Sequence, residues 1–167
     1  LVNKKAFEAC NFKVVVDGVN STGGIAIPLL LEALGVEPVK LYCDPTGHFP
    51  HNPEPLKEHL GDLSAEVKKH NADFGIVVDP DVDRLAFMDE NGEMFGEEYT
   101  LVACADYVLG KTKGNTVSNL SSSRALRDIT QKHGGTYEAA AVGEVNVVTK
   151  MKSNNAIIGG EGNGGII

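Results

Sequence analysis

Phe74-Gly-Ile-Val-Val-Asp-Pro-Asp-Val-Asp-Arg84 is an apolar run of strand length that passes without a break into three aspartates at alternate positions and an arginine. A short apolar run bounded by turn residues reads as a buried strand, and open α/β sheets place their ligands in the loops at the carboxyl ends of such strands. Carboxylates two residues apart in extended chain project to a common side and repel one another unless a cation compensates them. Oxygen-only donors suit a hard divalent ion, Mg²⁺ or Ca²⁺. Three carboxylates also leave positions for water or a phosphate oxygen, as Mg²⁺ prefers. Asp79, Asp81 and Asp83 are therefore the candidate metal ligands.

Other readings of the same residues compete. A solvated acidic turn is the plainest. An EF-hand gains from Asp79, Asp81, Asp83 and Glu90 at loop positions 1, 3, 5 and 12, but Arg84 stands where the sharp turn needs glycine, and a strand precedes the loop. A haloacid-dehalogenase-type phosphatase places its nucleophile in a similar strand-then-aspartate loop, yet expects Thr or Val where Asp83 stands. That phosphatase and a non-catalytic acidic metal-binding module remain the functional alternatives.

Outward from this loop, strand-length apolar runs alternate with helix-length amphipathic stretches, the pattern of a mainly parallel sheet with helices on both faces. Residues 13–17 (KVVVD) and 38–42 predict strands around a helix that opens at Ser21-Thr22-Gly23-Gly24 and ends at Gly35. Residues 44–55 hold four prolines and predict an irregular excursion; residues 56–71 predict a helix and 72–78 the third strand. Glu90-Asn91-Gly92 between two β-like runs, 84–89 and 93–95, predicts an antiparallel hairpin at the sheet's edge. A helix over 97–109 precedes the polar break at 110–115, after which strands at 116–120, 136–139 and 156–159 alternate with a serine-capped helix to His133 and a helix over 143–152. The expected fold is a three-layer α/β/α unit over residues 1–110 followed by a second, truncated α/β unit over 111–167.

A net charge of −8 over 167 residues disfavours phosphate backbones and anionic lipid surfaces, so neither nucleic acid nor membrane is an expected partner. The longest apolar stretches fall short of a spanning helix and no signal segment opens the sequence, which predicts a cytoplasmic protein. Cys10, Cys43 and Cys104 form no paired motif and read as idle thiols. The five histidines show no ligand spacing. Gly23 and Gly24 follow a strand without a complete nucleotide-binding pattern, so they predict close packing of helix on sheet. The sequence starts without Met and stops in an apolar glycine-containing run, as an internal piece of a longer chain would.

Asp79 to Arg84 resembles the D-G-D-G-D-R metal loop of the α-D-phosphohexomutases, the phosphoglucomutase, phosphomannomutase and phosphoglucosamine mutase superfamily. His51-Asn-Pro-Glu-Pro55, the run from Ala72 to Asp79, the Asp89-Glu-Asn-Gly92 hairpin, Val142-Gly143 and Gly159-Gly-Glu-Gly-Asn-Gly-Gly165 follow in the family's order and span nearly the whole sequence. The resemblance implies domain II and the first part of domain III of a four-domain enzyme, with domains I and IV missing. It implies interconversion of hexose 1-phosphate and hexose 6-phosphate through a phosphoserine and a bisphosphorylated sugar. The phosphorylated hexose is the implied substrate and the catalytic serine lies elsewhere. By the same resemblance Asp79, Asp81 and Asp83 bind Mg²⁺, and Arg84 stabilises the phosphoryl group or substrate. Glu161, Asn163 and Gly143 belong to the implied substrate site, Asn163 standing where the family's G-E-x-S-G-H loop has serine and Gly165 where it has histidine.

Overall fold

Val14, Val15 and Val16 are all fully buried, because alternate residues of their strand face two different cores. Val15 packs with Leu60, Leu63, Val67 and Val77 on one side, and Val14 and Val16 with Leu31, Val36, Ile76 and Val78 on the other. A strand covered on both faces has no solvent side, which is why its sequence runs apolar without alternation. The computed structural model describes residues 3–167 and divides into two units, one ending at Gly96 and one beginning at Glu97.

The first unit runs α1 (Lys4–Glu8), β1 (Lys13–Asp17), α2 (Gly23–Ala33), β2 (Glu37–Leu41), a 3₁₀ turn (Lys57–His59), α3 (Gly61–His70), β3 (Phe74–Val78) and β4 (Leu85–Met88). Its sheet has the order β2-β1-β3-β4, with β4 antiparallel at the edge and the other pairs parallel. Helix α3 stops where Asn71 turns left-handed at φ +46°, its N–H bonding to Lys68 O while Ala72 N–H reaches back to Val67 O. Lys68, Lys69 and His70 in that last turn complement the helix dipole.

The second unit comprises α4 (Glu97–Leu109), β5 (Asn115–Asn119), α5 (Ala125–Lys132), β6 (Tyr137–Ala140), α6 (Glu144–Asn154), β7 (Ala156–Glu161) and β8 (Gly165–Ile166). Its sheet order, β6-β5-β7-β8 with β8 antiparallel, repeats that of the first unit. Leu101, Ala105, Leu109, Leu126 and Ile158 form the core on one face, and Val117, Ala140 and Val147 the core on the other. Each fully buried Val or Leu stabilises by about 1.5–3 kcal/mol, whereas an exposed ion pair contributes roughly 0–1 kcal/mol. The apolar cores therefore carry the fold.

Several sequence expectations shift. The boundary expected at residues 110–111 lies instead at Gly96–Glu97, because α4 packs its apolar face into the second unit's core, and the polar break after it is a turn within that unit. The helix expected over 56–71 is a 3₁₀ turn and a separate helix, broken at Leu60. The second arm of the hairpin is reduced to one bridge, Met88 to Met94, although the antiparallel edge strand is present. Helix α1 and strand β8 were not anticipated.

Gly23 and Gly24 pack α2 on the sheet as expected. A Cβ on Gly23 would collide with the Val78 side chain, and one on Gly24 would lie 2.6 Å from Cys43 Cα, where only backbone could yield. Gly24→Ala should therefore destabilise the chain by about 1–3 kcal/mol through overpacking. Gly61→Ala, which meets nothing within 4 Å, should stabilise α3 by up to about 1 kcal/mol. Urea unfolding followed by circular dichroism checks both, and similar shifts for the two variants would contradict the packing account.

Candidate functional site

Asp79 inherits its position from β3. It directly follows the buried Val78 and is itself only 7% exposed, while Asp81 and Asp83 stand out in solvent. One carboxylate oxygen from each of the three lies within 4.8 Å of the others. At that separation two unit charges repel by roughly 3–4 kcal/mol at an effective dielectric of 20, before water screens the outer two. Burial, and then the Asp83 and Asp81 carboxylates, push the Asp79 carboxyl up to about 6, against the lowering effect of the Arg84 backbone N–H on Asp79 Oδ1 at 3.0 Å. The donor set is all oxygen, hard, and short of positive charge, which fits a divalent cation such as Mg²⁺.

The loop is held shut from several directions. Val82 N–H bonds to Asp79 O, Asp79 N–H to Arg84 O, and Ser21 Oγ donates to Pro80 O at 2.8 Å. Val19, Asn20, Tyr42 and Val82 all have positive φ, between +46° and +63°, and all lie in loops at the carboxyl ends of β1, β2 and β3. Non-glycine residues in that region cost about 1–3 kcal/mol each and persist only where their surroundings impose them.

Arg84 points toward the cluster without closing on it. Its Nε is 3.9 Å from both Asp79 Oδ2 and Asp83 Oδ1, and its Nη1 donates to Glu54 Oε1 at 3.1 Å. Glu54 comes from the proline-rich excursion, which His51 anchors by contacting the buried Asp17 through Nε2 at 2.9 Å. Burial raises the Asp17 carboxyl above its ordinary range, partly offset by the Val19 N–H and by His51.

In the second unit Glu161 ends β7, and Asn163 lies in the corresponding loop between β7 and β8. Glu161 Oε1 accepts the Gly143 N–H at 2.9 Å and Asn119 Nδ2 at 2.8 Å, leaving Oε2 with only a long contact, 3.4 Å, from Asn163 Nδ2. Asn119 is buried, and its Oδ1 accepts Ser121 Oγ at 3.0 Å and Ser122 Oγ at 2.6 Å. Ser122 Oγ in turn accepts the Gly162 N–H at 2.8 Å.

The structure thus gathers Asp79, Asp81, Asp83 and Arg84 in one place, and Gly143, Glu161 and Asn163 in another. Sequence reasoning missed Glu54, Asp17, His51, Asn119, Ser21 and Ser122. The excursion containing His51 and Glu54 was at least a visible motif. The serine run after β5 was read only as a helix cap, and Ser123 Oγ does accept the Ala125 N–H at 3.3 Å.

Comparison with known proteins finds two family models that together cover nearly the whole chain. The family model described as Phosphoglucomutase/phosphomannomutase, alpha/beta/alpha domain II, matches residues 1–92, and that for alpha/beta/alpha domain III matches residues 96–167. Phosphoglucomutase/phosphomannomutase of Thermococcus kodakarensis is 40% identical over 92% of this chain and 34% of that protein. Phosphomannomutase/phosphoglucomutase of Pseudomonas putida is 35% identical over 95% of this chain and 35% of that protein. A crystal structure of a phosphoglucomutase/phosphomannomutase family protein from Burkholderia thailandensis superposes with a TM-score of 0.85 at 29% identity, covering 98% of this chain and 37% of that one. The chain spans about a third of the length of the curated relatives it matches.

If Asn119 orients Glu161, an acid at that position must disturb the loop. Asn119→Asp sets a carboxylate against Glu161 and should lower the unfolding free energy by about 2 kcal/mol, while Ser122→Ala should cost about 1 kcal/mol. Denaturant unfolding measures both. Wild-type stability in Asn119→Asp would mean that the network does not form.

Proposed function

The chain belongs to the phosphoglucomutase/phosphomannomutase family, and on that premise we propose that it supplies the cation-binding loop and the sugar-binding loop of an enzyme interconverting hexose 1-phosphate and hexose 6-phosphate. The convergence of Asp79, Asp81 and Asp83 within 4.8 Å is the observation that carries this reading. Family membership displaces the haloacid-dehalogenase alternative, and an acidic module without catalytic purpose accounts for neither Arg84 nor the Glu161 loop.

Phosphoryl transfer is catalysed mainly by positioning and charge stabilisation. Mg²⁺, when bound, supplies neutralisation of charge on the transferring group. Asp79, Asp81 and Asp83 hold the cation, with Asp79 fixed by the strand behind it. Arg84 brings a guanidinium, whose planar fork binds phosphoryl oxygens in pairs, to the same edge. In the second unit, Glu161 presents Oε2 to a sugar hydroxyl because Oε1 is already occupied, and Asn163 can donate or accept beside it. Gly143 acts by directing its N–H at Glu161. The phosphoryl group is proposed to pass between a serine and the two sugar positions through a bisphosphorylated hexose. That serine is proposed to lie in domain I, beside the domains II and III that residues 1–92 and 96–167 match. Domain IV is the other proposed partner. The three free cysteines fit a reducing, cytoplasmic setting.

Calorimetry with Mg²⁺ should register weak binding to the chain, because several coordination positions are left to water and Mg²⁺ dehydrates reluctantly. Asp81→Asn should abolish that binding with the circular dichroism spectrum unchanged, and undiminished binding would refute the ligand assignment. In a coupled assay with glucose, mannose or glucosamine phosphates, the 167-residue chain alone should show no turnover above blank. Mg²⁺-dependent mutase turnover would overturn the placement of the serine outside it, and unaided hydrolysis of small phosphoesters would reinstate a phosphatase.

A further inference from the structure

His51-Asn-Pro-Glu-Pro55 contributes no ligand to the aspartate cluster, yet it is anchored more firmly than a surface excursion requires. His51 Nε2 contacts Asp17 Oδ2 at 2.9 Å, at the end of the central strand, and Nδ1 donates to Asn52 O at 2.7 Å. Pro53 and Pro55 fix the backbone on either side of Glu54. The Glu54 N–H is taken by Asn52 Oδ1 at 3.1 Å, and its carbonyl accepts both the Leu56 N–H at 2.8 Å and His59 Nδ1 at 2.9 Å. The freedom left to Glu54 lies in its side chain, which reaches Arg84 Nη1.

Arg84 has two acidic neighbourhoods to choose between. A guanidinium closing on Asp79 and Asp83 would make short charge-assisted bonds to both, and would occupy the oxygens a cation needs. Instead its Nε stops 3.9 Å from each, beyond hydrogen-bond range. We propose that Glu54 is a positioning residue for Arg84: by taking Nη1 it holds the guanidinium short of Asp79 and Asp83. Their oxygens then remain open to a cation, with a fixed cationic edge beside them for a phosphoryl ligand. This rests on the reading of Asp79, Asp81 and Asp83 as cation ligands and deepens it. Glu54 is half exposed and Arg84 one-third exposed, so their pair matters little to global stability. Its effect lies in side-chain placement and cation affinity.

The Arg84 Nε–Hε resonance, assigned by the loss of its signal in Arg84→Lys, reads the guanidinium's partners directly. Glu54→Gln should shift it, as the guanidinium closes on Asp79 and Asp83, with no change in thermal unfolding, and Glu54→Asp should shift it less. An unshifted resonance in Glu54→Gln, or an Arg84 Nε heteronuclear NOE that falls to that of a free side chain, overturns the proposal. With Mn²⁺ as the probe, followed by water-proton relaxation, Glu54→Gln should weaken binding about threefold. The same change made in an Arg84→Ala background should have no effect. Equal weakening in that background would show that Glu54 acts through its charge alone and would overturn the positioning role. If the wild-type chain binds no Mn²⁺, the cation reading fails, and the Arg84 Nε resonance by itself decides the proposal.

Discussion

Like charges forced together have to be held by something other than themselves, and the first unit is arranged around that requirement. Asp79 cannot move away from Asp81 and Asp83 because β3, buried on both faces, delivers it to its position. The outer aspartates cannot splay because the loop between them is tied to Asp79 O, Arg84 O and the Ser21 hydroxyl. Uncompensated repulsion of a few kcal/mol is affordable only against a core of this size, in which individual buried valines and leucines each stabilise by about as much. Burial, together with the same repulsion, lifts the Asp79 carboxyl to about 6. A divalent cation relieves all of these costs at once.

The second unit applies the same layout to a different chemistry. In both, the functional loop follows the third strand and leads into an antiparallel edge strand. A serine from the loop after the first strand clasps it in each case, Ser21 donating to Pro80 O and Ser122 accepting from the Gly162 N–H. The difference lies in what the loop presents. One shows three carboxylates with one oxygen from each within 4.8 Å of the others. The other shows a single carboxylate whose charge is already met by two N–H donors on Oε1, with only a long contact at Oε2. Repetition of the order β2-β1-β3-β4 as β6-β5-β7-β8 thus sets a triad of carboxylates and a single hydrogen-bonded carboxylate on one kind of scaffold.

Strands buried on both faces were legible because burial writes itself as an unbroken apolar run, as in residues 13–17 and 74–78. The aspartates were legible because their spacing is local. Helix α4 is legible as a helix but not as part of the second unit, since its amphipathic pattern states that one face is covered and not by which sheet. Strand β8 was missed because a two-residue glycine-containing strand has no periodicity to read. Asn119 and Glu161, 42 residues apart, and Glu54 and Arg84, 30 apart, meet only after the chain has folded. Neither pair leaves a local signature, and both concern orientation of a side chain whose candidacy was already evident.

Val82 shows how the aspartate loop departs from the glycine-rich pattern it resembles. Glycine would adopt its φ of +63° freely; a β-branched residue there is strained by about 1–3 kcal/mol. Val82 recovers part of that cost by packing, half-buried, against the core of Leu31, Ile76 and Val78. Glycine would also add freedom to the unfolded chain, a penalty of about 0.4–1 kcal/mol. The opposing contributions are of similar size, so valine is tolerable on stability grounds. Their consequences for the loop differ. Glycine would leave Asp81 and Asp83 on a flexible hinge, whereas Val82, pinned to the core and preceded by the fixed φ of Pro80, keeps both carboxylates beside Asp79.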